Sequence, residues 1–103
     1  MATIEFAPEV AGDLDRIVDH LTRHDAPRIV ERITGLIDAI DVLAHSPLVG
    51  RPLRHDLREL IVGQAAEGYL VLYKYIPEID TVFVLAARSQ REAGYANRDD
   101  VDS

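Results

Sequence analysis

Cysteine is absent from the 103 residues, which removes disulfide frameworks and thiolate metal sites from consideration. Lysine is nearly absent, Lys74 being the single one. Positive charge therefore rests on arginine, which is practically never deprotonated and makes a poor general base. No apolar run approaches the roughly 20 residues that a membrane-spanning helix needs. The N-terminus, Met1-Ala2-Thr3-Ile4-Glu5, lacks the basic and apolar parts of a signal peptide, so a cytoplasmic location is expected. Internal repeats and low-complexity segments are absent too.

Net positive charge is also missing, the formal total being −7. Its distribution is uneven. Residues 1–50 carry four arginines against nine acidic residues, whereas residues 51–98 carry six arginines and one lysine against six. Asp99, Asp100 and Asp102 make the end acidic. Nucleic-acid affinity comes mainly from neutralised phosphates, so this balance argues against direct nucleic-acid binding. An arginine cluster in the second half can still meet a phosphate or an acidic protein surface.

At 48% hydrophobic and 28% charged, the chain suits one soluble two-layer domain over residues 1–98, with 99–103 a flexible acidic tail. Ala2 to Phe6 alternates as a short strand. Pro8 then suits a first helical turn, and Val10, Leu14, Ile17, Val18 and Leu21 form one apolar stripe on a helix ending near His24. Asp25 is expected to cap a second helix, with Pro27 early in it, running to about Ala44. That helix is apolar over a broad arc (Ile29, Val30, Ile33, Leu36, Ile37, Ile40, Leu43) and should touch two neighbours. Gly35 inside it is read as a place of close approach to another element. Ser46-Pro47 stops the helix, and Gly50-Arg51-Pro52 forms a loop.

Three strands follow at Leu57 to Val62, Tyr69 to Ile76 and Thr81 to Ala87, joined by connections of hairpin length. Alternation puts Tyr69, Val71, Tyr73 and Tyr75 on one face of the second. In the third it sets Val82, Val84 and Ala86 against Phe83, Leu85 and Ala87. Both faces are substantially apolar, and two helices cover about one of them. The other face, or an edge, is expected to await a partner.

From Val82 the last strand runs directly into a polar segment holding Arg88, Ser89, Gln90, Arg91, Glu92 and Tyr95. Polar groups at the end of a rigid strand are held at small entropic cost, as binding and chemistry require. The order of a strand, a helical hairpin, Pro47-x-x-Gly50-Arg51-Pro52-Leu53, Leu57-Arg-Glu-Leu60, a Tyr-rich strand and Arg88-x-Gln90-Arg91-Glu92-x-x-Tyr95 resembles the RelE/ParE family. These are toxin subunits of bacterial type II toxin–antitoxin modules, and the resemblance spans about Ile4 to Tyr95.

It implies an α+β fold: an N-terminal strand, an antiparallel helical hairpin packed on a small, mainly antiparallel sheet, and a short C-terminal helix or turn. It also implies a cognate antitoxin whose C-terminal segment folds onto the toxin. RelE-like members cleave mRNA in the ribosome, whereas ParE-like members inhibit DNA gyrase without chemistry of their own. The resemblance places a histidine or another basic catalytic residue at position 89, where this chain has Ser89. A serine hydroxyl is a poor general acid, and cleavage through a 2′-hydroxyl needs a base, a cation and an acid. A nuclease can be drawn from Arg58, Arg88, Arg91, Tyr95 and His55. The ParE-like branch fits better, since ribosome binding favours a strongly basic surface. Residues for target or antitoxin binding are then Arg51, Arg54, Arg58, Tyr73, Arg88, Arg91 and Tyr95.

Plainer roles are open to several residues. Arg88 and Arg91 can pair with Glu92 or the acidic tail. His20 and His24 are spaced as in a zinc helix, but the intervening glutamate of that motif and any third ligand are missing. They read as a solvated helix flank. No metal and no cofactor is expected.

Overall fold

The computed structural model describes residues 1–64, 67–92 and 95. The acidic 99–103 segment lies outside the described residues. Strand β1 (Thr3–Phe6) leads into helices α1 (Glu9–Arg23) and α2 (Ile29–Asp41), the latter tightening into a 3₁₀ turn at Val42–Ala44. Strands β2 (Arg51–Pro52), β3 (Leu57–Val62), β4 (Tyr69–Ile76) and β5 (Thr81–Ser89) complete the chain. They form one sheet in the order β1-β5-β4-β3-β2. The β1–β5 pairing is parallel and the other three are antiparallel. This is an α+β fold with its two main helices on one face of the sheet.

The expected helical stripes form in part. Val10, Ile17 and Leu21 of α1 and Leu36 and Ile40 of α2 are buried with Tyr69, Val71, Tyr73, Val82 and Val84, whereas Val18 and Val30, also expected there, are exposed. The helix junction differs from expectation. Asp25 does not cap α2; it takes a left-handed conformation (φ 49°) as the residue that ends α1. Its amide bonds the Thr22 carbonyl, and the next amide, of Ala26, reaches back to Leu21. These paired bonds satisfy carbonyls that a helix end leaves open, and a short polar side chain tolerates that backbone. Pro27 therefore precedes α2, whose N-cap is Arg28, also left-handed (φ 56°).

Two further expectations are corrected. A β-bulge in β5 shifts the register, pairing Leu72 with Ala86 but Tyr73 with Val84 and leaving Leu85 without a partner on β4. One extra residue reverses the alternation, so the helix-facing set is Val82, Val84 and Ala87 rather than Val82, Val84 and Ala86. Gly35 approaches nothing, because a Cβ built there meets no atom within 4 Å.

The second sheet face is partly covered. Leu70, Leu72 and Ala86 on it are buried, whereas Ile76, Phe83 and Leu85 are half-buried and Ile61 is 52% exposed. Loop 48–50, before β2, is fixed from the sheet. Buried Tyr73 accepts the Gly50 amide on its hydroxyl oxygen at 2.8 Å, and Arg58 Nη1 donates to the Leu48 and Gly50 carbonyls at 3.0 and 2.8 Å.

Candidate functional site

The arginine-bearing exit of β5 is built by α1. Strand β1 pairs with β5 only as far as Val84, beyond which the outer edge of β5 has no strand beside it. Helix α1 supplies the missing partners with side chains. Asp13, 3% exposed, accepts the Ala87 amide on Oδ2 at 3.0 Å, and Arg16 Nη2 donates to the Ala87 carbonyl at 3.2 Å. Arg16 also bonds Asp13 Oδ1 and Glu92 Oε1, both at 2.9 Å. Burial opposes the Arg16 charge, but these two carboxylates outweigh it and its pKa rises. Glu92 in turn accepts the Ser89 amide on Oε2 at 2.8 Å, closing a turn in which the Glu92 amide bonds the Ser89 carbonyl. Ser89 Oγ accepts the Arg91 amide at 3.1 Å, so this hydroxyl serves the turn.

Across the opposite face lies a second polar group. Glu59 of β3, 4% exposed, accepts the Tyr95 hydroxyl at 2.7 Å and is paired with Arg51 of the edge strand. The Tyr95 ring lies 5.0 Å from the Arg88 guanidinium carbon. Arg88 Nη1 donates to the Glu92 carbonyl at 2.6 Å, while its buried Nε has no hydrogen-bond partner among the described residues. Tyr95 thus links Arg88 at the end of β5 to Glu59 of β3.

The residues singled out from the sequence divide among three places. Arg51, Arg88 and Tyr95 meet around Glu59 on the face away from the helices. Arg58 and Tyr73 are register partners, so both lie toward the helix side, where they hold the 48–50 loop. Arg54 and His55 are exposed on a 3₁₀ turn before β3, with His55 at φ 62°. Arg91 is exposed and lines a cleft beside α2. Arg58 and Arg88 therefore do not converge. His20 and His24 stack with ring centroids 4.2 Å apart, and no group of three metal-ligating side chains occurs among the described residues.

Burial, the bond to Glu59 and the charge of Glu59 together push the Tyr95 phenol well above its ordinary value, with Arg88 opposing. Burial likewise raises Tyr73. A phenol raised in the folded state favours folding while protonated, and that contribution fades as pH climbs above the unfolded value of about 10. Stability should hold through neutral pH and fall steeply above about pH 10. Urea titrations at pH 8 and pH 11 check this, and Tyr95→Phe should flatten the alkaline fall.

The model for "ParE toxin of type II toxin-antitoxin system, parDE" matches residues 4–94, and the chain belongs to that family. Similar folds occur in the chromosomal ParDE system of P. aeruginosa (TM-score 0.71, 17% identity, covering 86% of this chain and 96% of that one). They occur also in the RelBE2 toxin–antitoxin complex of Mycobacterium tuberculosis (TM-score 0.56, 26% identity, covering 86% and 98%). A metal-bound toxin from Helicobacter pylori gives a TM-score of 0.50 at 18% identity, covering 91% and 100%. No curated protein sequence matches the chain. The chain is a toxin of a type II toxin–antitoxin system, and among its described residues no helix is long and apolar enough to cross a membrane.

Proposed function

We propose that this toxin arrests growth by inhibiting DNA gyrase and is neutralised by a cognate antitoxin, and that it is not a ribonuclease. The observation that carries this reading is the engagement of the β5 exit. Tyr95 donates its proton to Glu59, Arg88 is held by the Glu92 carbonyl, and Ser89 accepts from the turn. RNA cleavage needs an acid and a base free to exchange protons near a cation. Here the phenol is raised by burial and the position suited to a histidine is a serine. Exposed Arg54 and Arg91, with Arg51, remain to meet an acidic protein surface.

Purified toxin should inhibit gyrase supercoiling in vitro, and induction should give filamentous cells with a DNA-damage response. Translating ribosomes should yield intact mRNA. Codon-specific cuts that vanish with Arg88→Ala, alongside unaffected supercoiling, would favour the RelE-like alternative.

The antitoxin partner is supported by the ParDE and RelBE2 systems whose folds this chain shares. Its C-terminal segment would add a strand at a sheet edge, preceded by an amphipathic helix in a groove. Of the two edges, β2 is two residues long and contains Pro52, which cannot donate to a ladder. That leaves β1, where Phe6 is 49% exposed. Because residues 1–50 are acidic, the segment should be richer in Lys and Arg than usual, and the complex should weaken as salt rises. An interface on the order of 1,600 Å² is expected for a stable pair.

A further inference from the structure

Between the first turns of α2 and the turn joining β3 to β4 lies an open cleft of about 610 Å³. Arg28 and Arg32 of α2 and Arg91 from the β5 exit line it. A second cavity of about 470 Å³, lined on the α1 side by Arg16, Ile17, His20, Leu21 and His24, shares Arg32, Glu67, Tyr69 and Arg91 with the first. Together they make one groove, mixed in character along α1 and arginine-lined at the start of α2. Arg32 is paired with exposed Glu67 at 3.1 Å, whereas the Arg28 and Arg91 guanidiniums have no ionic partner among the described residues.

Two features of this cleft work against stability. Arg28 occupies the left-handed region (φ 56°, ψ 46°), an uncommon place for a long side chain. Gly35, which lines the same cleft, weakens the middle of α2, and no neighbouring atom requires its lack of a side chain. Both make sense if the space above α2 is kept for an occupant that approaches the helix backbone and faces the arginines.

We infer that this cleft receives an acidic side chain of the antitoxin segment, its carboxylate held between Arg28 and Arg91 while the residues next to it lie toward α1. This rests on the antitoxin reading and adds a position of defined charge to a segment otherwise rich in Lys and Arg. A nucleic acid fits worse, since Glu31 and Glu67 line the cleft with the three arginines and the chain carries −7 overall.

The test is calorimetric titration of full-length toxin with the purified antitoxin encoded beside it, at low and moderate salt. Arg28→Glu with Arg91→Glu should weaken binding roughly tenfold or more, while Arg23→Glu, half that charge change and outside the cleft, should cost much less than half of that loss on a logarithmic scale. Replacing the facing acidic residue of the antitoxin with Lys should restore affinity for the double variant. Gly35→Ala should raise the melting temperature yet weaken binding, a combination that a purely structural glycine would not give. Binding by the double variant within twofold of wild type overturns the inference. So does Arg28- and Arg91-dependent binding of an RNA oligonucleotide with antitoxin affinity unchanged. Wild-type toxin that ignores the antitoxin would instead remove the partner reading on which the inference stands.

Discussion

Asp13→Ala is expected to destabilise the fold by about 3 kcal/mol, close to what one buried, paired carboxylate supports. The carboxylate is 3% exposed and serves two donors at once, the Ala87 amide and the Arg16 guanidinium. Removing it leaves a buried amide on the open edge of β5 without an acceptor. It also leaves Arg16 with one carboxylate, Glu92, instead of two. Asp13→Asn should cost less, because an amide oxygen can still accept from Ala87. Urea unfolding followed by circular dichroism measures both, and near wild-type midpoints for the alanine variant would mean that water replaces the carboxylate. The turn at Ser89 to Glu92 should loosen in the same variant, visible as faster amide exchange at Ser89.

Gly50→Ala is expected to be similarly severe, about 2–4 kcal/mol. A Cβ at this position would stand 2.7 Å from both Cε1 and the hydroxyl of Tyr73, and 3.0 Å from the Glu59 carbonyl oxygen. Tyr73 is fully buried and cannot swing away, and the Glu59 atom is backbone. The clash would part the loop from the sheet, breaking the Gly50–Tyr73 bond and the Arg58 clamp together. Tyr73→Phe removes only the hydroxyl and should lose about 1 kcal/mol. If the double variant Gly50→Ala, Tyr73→Phe recovered most of the stability, the clash would lie with the hydroxyl rather than with the Glu59 backbone.

Periodicity made most elements legible. The stripe Val10, Leu14, Ile17, Val18, Leu21 and the alternation Tyr69, Val71, Tyr73 specify which faces turn inward, and the structure packs all of them against the core but Val18. What periodicity cannot carry is an extra residue. Nothing in Phe83-Val84-Leu85-Ala86 marks the bulge, since each residue is apolar and suits either face. Asp25 misled for a related reason. A short acidic side chain suits both a helix start and the left-handed residue that ends the previous helix, and only the packing of two antiparallel helices selects the second.

The candidate site was legible as a list and not as an arrangement. Arg88, Arg91 and Tyr95 were visible from their place after a core strand, but the partners that fix them are distant in sequence. Glu59 and Tyr95 are 36 residues apart, and Arg16 and Glu92 are 76 apart. One signal was nevertheless present. Asp13 falls on the apolar stripe of α1, three residues after Val10 and four before Ile17, where a carboxylate is costly unless it has a defined partner. An acidic residue on a buried face was the trace of the network that holds the β5 exit. Arg58 and Tyr73, chosen for their chemistry, proved to be occupied in holding the loop before β2.

The clasp between α1 and the end of β5 also sets an order of events during synthesis. Asp13 and Arg16 emerge early, but the amide and carboxylate they hold arrive 74 and 76 residues later. Translation at roughly 5–20 residues per second delays that meeting by several seconds. Until Glu92 has left the ribosome, the Asp13–Arg16 pair of helix α1 lacks the Ala87 amide and the Glu92 carboxylate that it later holds. The turn that carries Arg91 is therefore clasped to α1 only when the two halves of the chain meet.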